Sequence, residues 1–278
     1  MTVTKLEIEH SEILAIKELR NRILDVKPPL HPDFFLHDLG LLRFIRARKS
    51  VDKAEVMFRK FIAWQEEVEF SKALSFTIRE EVVDNFKWKI SGIDNAGGPV
   101  VIVPVAKWDA SQEVSCDELV RLALRSLAQI VGVAAKQFKD KGIAVQATGI
   151  ADLKGLGMRH VTHVEGIKAT LIMVRYFEAN FPEYLRAVFV LNAPYVFSIA
   201  WRLVKPLITG NTHEKIKFVY SNNYEKEILK YVDPDQLPEA YGGTLPEDSE
   251  LIYDGEDFHR VSSNGNCEDG DLMSPVKI

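Results

Sequence analysis

The chain has 278 residues, 46% hydrophobic and 27% charged, with a formal net charge of -5. That length accommodates one large domain and a smaller companion around a sizeable core. The charge balance lacks the basic excess of a dedicated nucleic-acid binder, so no nucleic-acid partner is expected.

Residues 1–9 lack the apolar core and small-residue cleavage site of a signal peptide, which points to the cytosol. From residue 9 to about residue 86 the pattern is helical: Ile13, Leu14, Ile16 and Leu19 recur at helical spacing, as do Val56, Phe58, Phe61, Ile62 and Trp64. Pro28, Pro29 and Pro32 separate the first helix from the rest of this N-terminal bundle. Residues 41–60 concentrate Arg43, Arg46, Arg48, Lys49, Lys53, Arg59 and Lys60 against Asp52 and Glu55, a local charge of +5. This is either a solvated helix face with i,i+4 pairs or a binding surface. Arg46 and Arg48 cannot share one helical face with Arg43.

The pattern changes after Trp88. A turn sequence at 94–98 leads into a short apolar run at 99–105, as in a buried strand, and further runs follow at 143–151, 185–192 and 215–220. Two periodic helices lie between them, at 115–139, opened by Ser115 and Glu118 in capping-box spacing, and at 160–181. Strand, helix, strand, helix, strand predicts an α/β fold built of βαβ crossovers with a mainly parallel sheet. A last helix is predicted at 224–231, and the ordered body is expected to close near residue 243. Residues 244–278 hold nine acids against Arg260 and Lys277, a net charge of -7 that leaves the body at +2. An acidic, disordered tail is expected there. Cys116 and Cys267 give no disulfide framework, and free thiols fit the cytosol.

The segment 195–208 stands apart. Its apolar residues, Tyr195, Val196, Phe197, Ile199, Trp201, Leu203, Val204, Leu207 and Ile208, are spread almost all round a helix, and only Arg202 and Lys205 bring charge. Such a helix is either buried in the core or faces something apolar besides the core. It is too short and too interrupted to span a bilayer.

Catalytic patterns are missing. Gly155-Leu156-Gly157 lacks the third glycine of a dinucleotide fingerprint, and neither a Walker loop nor a Gly-x-Ser-x-Gly elbow occurs. His160 and His163 read as helix-end histidines, since no Cys or carboxylate accompanies them at metal-ligand spacing. No metal, no cofactor and no enzymatic activity are expected.

Four separated segments resemble, in order and spacing, the CRAL-TRIO lipid-binding family of the phosphatidylinositol-transfer and tocopherol-transfer type. They are Leu41-Leu42-Arg43-Phe44-Ile45-Arg46-Ala47-Arg48-Lys49, Ala151-Asp152-Leu153-Lys154-Gly155, the stretch from Asn192-Ala193-Pro194 to Lys205-Pro206-Leu207, and Leu237-Pro238-Glu239-Ala240-Tyr241-Gly242-Gly243. The resemblance implies a helical N-terminal lobe (1–86) and a lipid-binding lobe (87–243) whose sheet floors a cavity under a gate helix. It assigns 195–208 to that gate, with Phe197, Trp201, Leu203, Val204, Leu207 and Ile208 as gate and membrane contacts. It implies a phosphatidylinositol or phosphoinositide headgroup site at Arg48, Asp94, Glu183, Thr212 and Lys215, with Arg186 matching a basic residue of tocopherol-type members. Leu127, Ile130, Val145, Ile150, Met173, Phe177 and Val190 are candidate cavity walls, each equally suited to ordinary core.

In two places the chain departs from the pattern. Tyr184 stands where phosphatidylinositol-binding members have an arginine, and Val101, Ala147 and Gly149 replace the polar residues that hold phosphatidylcholine. The implied function is lipid binding and transfer by a monomer, cytoplasmic and reversibly membrane-associated, with a bound lipid as ligand and transient contact with anionic membranes. A carrier of an isoprenoid-type ligand (tocopherol, retinoid, squalene-like) and a lipid-sensing regulatory protein are the alternatives.

Overall fold

The computed structural model describes residues 8–220 and 223–262. The N-terminal part is helical: α1 (His10–Arg22), α2 (Pro32–Leu36), α3 (Asp38–Arg48), α4 (Val51–Glu67), a 3-10 turn (Phe70–Ser75) and α5 (Glu80–Asn85). Phe35, Phe44, Phe58, Phe61 and Phe70 are fully buried, because the apolar stripes of α2, α3 and α4 converge on one another. Gly40 permits the closest approach, since a Cβ there would lie 2.5 Å from the carbonyl oxygens of Phe34 and Phe35. The same core cluster continues into Leu124, Leu127 and Val131 of α6 (Cys116–Lys141), so the helical lobe shares its core with the rest of the chain.

The sheet has seven strands: β1 (Lys89–Ile93), β2 (Pro99–Pro104), β3 (Ala147–Asp152), β4 (Leu185–Leu191), β5 (Ile216–Val219), β6 (Glu250–Tyr253) and β7 (Phe258–Val261), in the order β5-β4-β3-β2-β1-β6-β7. The four strands β2 to β5 are parallel, as the βαβ reading requires, and the β1, β6 and β7 pairings are antiparallel. The remaining helices are α7 (Met158–Val161), α8 (Val164–Asn180), α9 (Phe197–Val204), α10 (Gly210–Lys215) and α11 (Tyr224–Ile228).

Several expectations are corrected. The expected tail is folded over residues 244–262, because Leu251 and Tyr253 alternate inward from β6 and are buried beside α6. Gly132 makes room for the Tyr253 ring, 2.2 Å from where a Cβ would stand. Arg260 completes the attachment by donating to the Ser91 carbonyl and to Ser249 Oγ, both at 2.8 Å. Residues 263–278, Cys267 included, lie outside the described residues. The helix expected at 160–181 breaks at Thr162–His163, where the His163 ring accepts from the Gly166 amide (2.9 Å) and starts α8 afresh. Ser115 caps α6 through the Glu118 amide, but the Glu118 carboxylate goes to Arg79 at 2.7 Å instead of closing the box. The last helix stops at Ile228, short of residue 231.

The two faces of the parallel strands differ. On one, Val100, Ile102, Ile150, Ala187, Phe189 and Leu191 are fully buried against Ile228, Val232, Leu237 and Tyr241. On the other, Val101, Val103, Gly149, Ala151, Val188 and Phe218 remain partly accessible. Ile150, expected in the cavity wall, thus belongs to the packed face. Continuous apolar strands conceal which parity faces which layer.

Candidate functional site

Three chain segments meet at the C-terminal end of α3. The apolar residues Leu41, Leu42, Phe44 and Ile45 bury the helix, and its last turn projects Arg48, whose Nε donates to Met57 Sδ at 3.2 Å. The stretch 181–185 brings Glu183, held in a left-handed conformation (φ 58°), with its carbonyl accepting from Gln146 Nε2 at 2.9 Å. The short α10 brings Thr212 and Lys215. Lys215 Nζ donates to Glu183 Oε2 at 3.1 Å, and the Thr212 and Thr209 hydroxyls are 3.2 Å apart. Arg48, Glu178, Glu183, Thr212 and Lys215 line one cleft of about 220 Å³, floored by Met57, Phe177 and Phe181. Two cations and two carboxylates share it, with hydroxyl and backbone donors between them. Four of the six residues expected in a headgroup site are therefore neighbours.

The other two are elsewhere. Asp94 is buried, its Oδ1 accepting from the amides of Ala96 and Gly98 and its Oδ2 from Thr148 Oγ1 at 2.7 Å. Arg186 pairs with Asp94 at 3.0 Å and stacks over Tyr231. The β4 register shifts between Leu185 and Ala187, which puts Arg186 with the packed face of the sheet while Leu185 lines the cleft.

The basic run 41–60 divides by role. Arg43 is buried, donates to the Val145 carbonyl at 2.5 Å and lies 3.8 Å above the Tyr184 ring. Arg46 makes a bidentate pair with Glu12 (2.7 and 2.9 Å), whose carboxyl is held below its usual range by that bond. Arg59 pairs with Asp25 and Glu55. Arg48 is the one that reaches the cleft. Tyr184 points into the core, where burial, partly offset by the Arg43 charge, pushes its phenol up to about 12.

Of the seven expected cavity residues, Leu127, Ile130, Val145 and Phe177 surround a second cavity of about 20 Å³, room for about one water. Met173 packs on the core cluster containing Leu127 and Phe181. Val190 is buried on β4, paired with Phe218 of β5.

The segment 195–208 forms α9 and a 3-10 turn (Lys205–Leu207), and none of its residues is buried. Phe197 and Trp201 turn inward, their ring centroids 6.2 and 5.0 Å from that of Phe218 on the accessible sheet face. Ile199 and Leu203 turn outward with Tyr195, which is 94% exposed. Of the six expected membrane contacts, only Leu203 faces fully outward. Phe197, Trp201, Val204, Leu207 and Ile208 are half-buried, because the helical period sends them to the opposite side. At its far end this segment runs directly into the cleft, where the Thr209 amide donates to Glu178 Oε2 at 3.1 Å.

At its near end lies a junction that the sequence did not reveal. Asn192, left-handed at φ 53°, donates to Asp152 Oδ1 at 2.8 Å, while the Tyr241 hydroxyl donates to Asp152 Oδ2 at 3.3 Å. Three of the four segments behind the family resemblance thus meet at one carboxylate. The histidines at the start of α7 and α8 serve the backbone: His160 Nδ1 accepts from the Gly157 amide and His163 caps α8. Among the described residues no helix is long and apolar enough to cross a membrane.

A family profile described as the CRAL/TRIO domain matches residues 84–243. The chain is 28% identical over 250 residues to the Arabidopsis thaliana "Phosphatidylinositol/phosphatidylcholine transfer protein SFH4", covering 84% of this chain and 39% of that protein. It is 30% identical over 261 residues to the Caenorhabditis elegans "CRAL-TRIO domain-containing protein T23G5.2", covering 87% of this chain and 35% of the relative. It spans well under half the length of both curated relatives. The crystal structure of Sfh5 shares the fold, with a TM-score of 0.67 at 16% identity over 86% of this chain and 88% of that one.

Proposed function

Since the chain belongs to the CRAL/TRIO domain family, we propose that it is a lipid carrier that holds one phospholipid with its chains on the accessible sheet face, beneath α9, and its headgroup in the cleft. The observation that carries this reading is the junction of the two surfaces. An apolar, half-open sheet face under an unburied apolar helix adjoins a cleft that gathers Arg48, Thr212 and Lys215.

The physical case for a lid is strong. Removing roughly 30 methylenes from water is worth on the order of 25 kcal/mol at about 0.8 kcal/mol each, so a bound phospholipid does not leave unaided. A helix that exchanges contact with the lipid for contact with a bilayer exposes neither to water. The carrier makes and breaks no bond.

The charge of the cleft selects the headgroup class. Arg48 and Lys215 suit a single phosphodiester, and Glu178 and Glu183 suit the hydroxyls of an uncharged polyol. Further phosphate groups would meet those carboxylates, so phosphatidylinositol is favoured over its phosphorylated forms. The named activity of the Arabidopsis relative includes phosphatidylcholine, but the positions of Val101, Ala147 and Gly149 offer no side-chain polar group to a choline phosphate. In an exchange assay between donor and acceptor vesicles, phosphatidylinositol should move at least about tenfold faster than phosphatidylcholine, the equivalent of roughly 1.4 kcal/mol. Equal rates for the two lipids would remove the headgroup assignment.

A further inference from the structure

The second, smaller cavity lies between the cleft and the accessible sheet face. It shares Phe177 and Phe181 with the cleft, and it reaches Ala147, the first residue of β3, on the same side of that strand as the accessible Gly149 and Ala151. Its wall is apolar with one exception. Tyr184 carries the only polar side chain among the residues around it.

The Tyr184 hydroxyl is buried and has no hydrogen-bond partner among the described residues. The charge beside it, the Arg43 guanidinium 3.8 Å from the ring centroid, is a donor only and cannot take the hydroxyl proton. Nor is the residue loosely held. The Ala147 amide donates to the Tyr184 carbonyl at 2.7 Å, and Gln146 Nε2 donates to the Glu183 carbonyl at 2.9 Å. The ring is fixed by Arg43 on its face and by Phe181 at a T-shaped contact of 5.4 Å between centroids. Burying a donor without an acceptor is costly, so a hydroxyl fixed in this way points to an acceptor on whatever fills the cavity.

A phospholipid with its headgroup in the cleft and its chains on the sheet face passes this cavity with its glycerol, which carries the two ester linkages. An ester carbonyl accepts hydrogen bonds and donates none, the complement of a lone phenolic proton in an apolar wall. The volume of about 20 Å³, room for about one water, suits a single carbonyl oxygen and not a headgroup. Resting on the carrier reading above, we propose that Tyr184 is a specificity-determining residue whose hydroxyl donates to an acyl-ester carbonyl of the bound lipid. The carrier then selects for linkage as well as headgroup. Ester-linked lipids are preferred to alkyl-ether lipids, in which a methylene replaces the carbonyl, and the preference does not pass through Arg48 or Lys215.

The test is a competition read by native mass spectrometry. The full chain is incubated with phosphatidylcholine vesicles that hold equal amounts of diacyl phosphatidylinositol and its dialkyl-ether analogue of the same chain length, which differ in mass. The wild-type chain should carry the diacyl form in about three- to tenfold excess, the effect of one hydrogen bond. Tyr184→Phe deletes only the hydroxyl and keeps a ring beneath Arg43, so it should bring the ratio to about one by depleting the diacyl complex. Its melting temperature should match the wild type, because the hydroxyl has no protein partner to lose. Equal loading of the two lipids by the wild-type chain, the result if a water alone matches the hydroxyl, would overturn the proposal. So would a wild-type ratio retained by Tyr184→Phe. In both cases the chain still loads lipid and the carrier reading stands, whereas a wild-type chain that loads neither inositol lipid removes the carrier reading and this proposal together.

Discussion

Changing Arg48 and Lys215 together to alanine is expected to slow phosphatidylinositol exchange between vesicles by about two orders of magnitude or more. In the proposed complex each side chain makes a charge-assisted hydrogen bond to the phosphodiester, worth roughly 1.5–3 kcal/mol. Two such losses amount to about 3–6 kcal/mol, and every 1.4 kcal/mol is a factor of about ten. The loss is compounded at Lys215, because its removal leaves Glu183 without the 3.1 Å partner it has now and facing the phosphate. The fold should tolerate the change. Arg48 contributes one contact to Met57 Sδ, whereas the structural duties of α3 fall to Arg43 and Arg46. Exchange rates and thermal denaturation measured on one preparation separate the two effects. Unaltered exchange would show that the cleft does not hold the headgroup.

The second large effect is expected at the gate. Phe197→Asp with Trp201→Asp removes the two rings that rest on Phe218 and puts two carboxylates over the accessible sheet face. Closing the helix over a lipid then requires desolvating both charges, which costs several kcal/mol. Exchange should fall to the uncatalysed rate and the lipid carried through purification should be lost. Because no residue of α9 is buried, the melting temperature should fall by only a few degrees. A chain that unfolds instead would make α9 a core helix, with the gate reading gone.

These expectations rest on features that the sequence disclosed unevenly. Parallel strands and crossover helices were legible because runs such as 99–105 and, beyond Arg186, 187–191 are apolar between periodic helices. The β1 strand was not, since Lys89-Ile90-Ser91-Gly92-Ile93 has no such run and its buried Ser91 hydroxyl is satisfied by the Gln236 carbonyl from far along the chain. The β6–β7 hairpin was hidden by composition. Acidic residues dominate its neighbourhood, and the pair that anchors it, Leu251 and Tyr253, is a short alternation whose value depends on Gly132 of α6.

The site shows the same division. Arg48, Glu183, Thr212 and Lys215 come together as the resemblance implied, but position in a motif does not reveal a bulge, and one bulge sends Arg186 to Asp94 on the packed face. Tyr184 is informative in another way. At a position where an arginine would add charge to the cleft, this chain has a ring that turns inward and carries the buried Arg43. The basic run 41–60 looked uniform by composition, yet its arginines divide among the core, the surface network and the cleft. Only long-range partners such as Glu12, Asp25 and Tyr184 make that division.

The central claim is that a lipid lies beneath α9 with its headgroup in the cleft, and native mass spectrometry of the intact chain, purified without detergent, tests it most directly. The account predicts a complex of one chain with one phospholipid, which on dissociation yields an inositol phospholipid and which Arg48→Ala with Lys215→Ala depletes. A chain found only at its sequence mass, both as purified and after incubation with phosphatidylinositol vesicles, would contradict it.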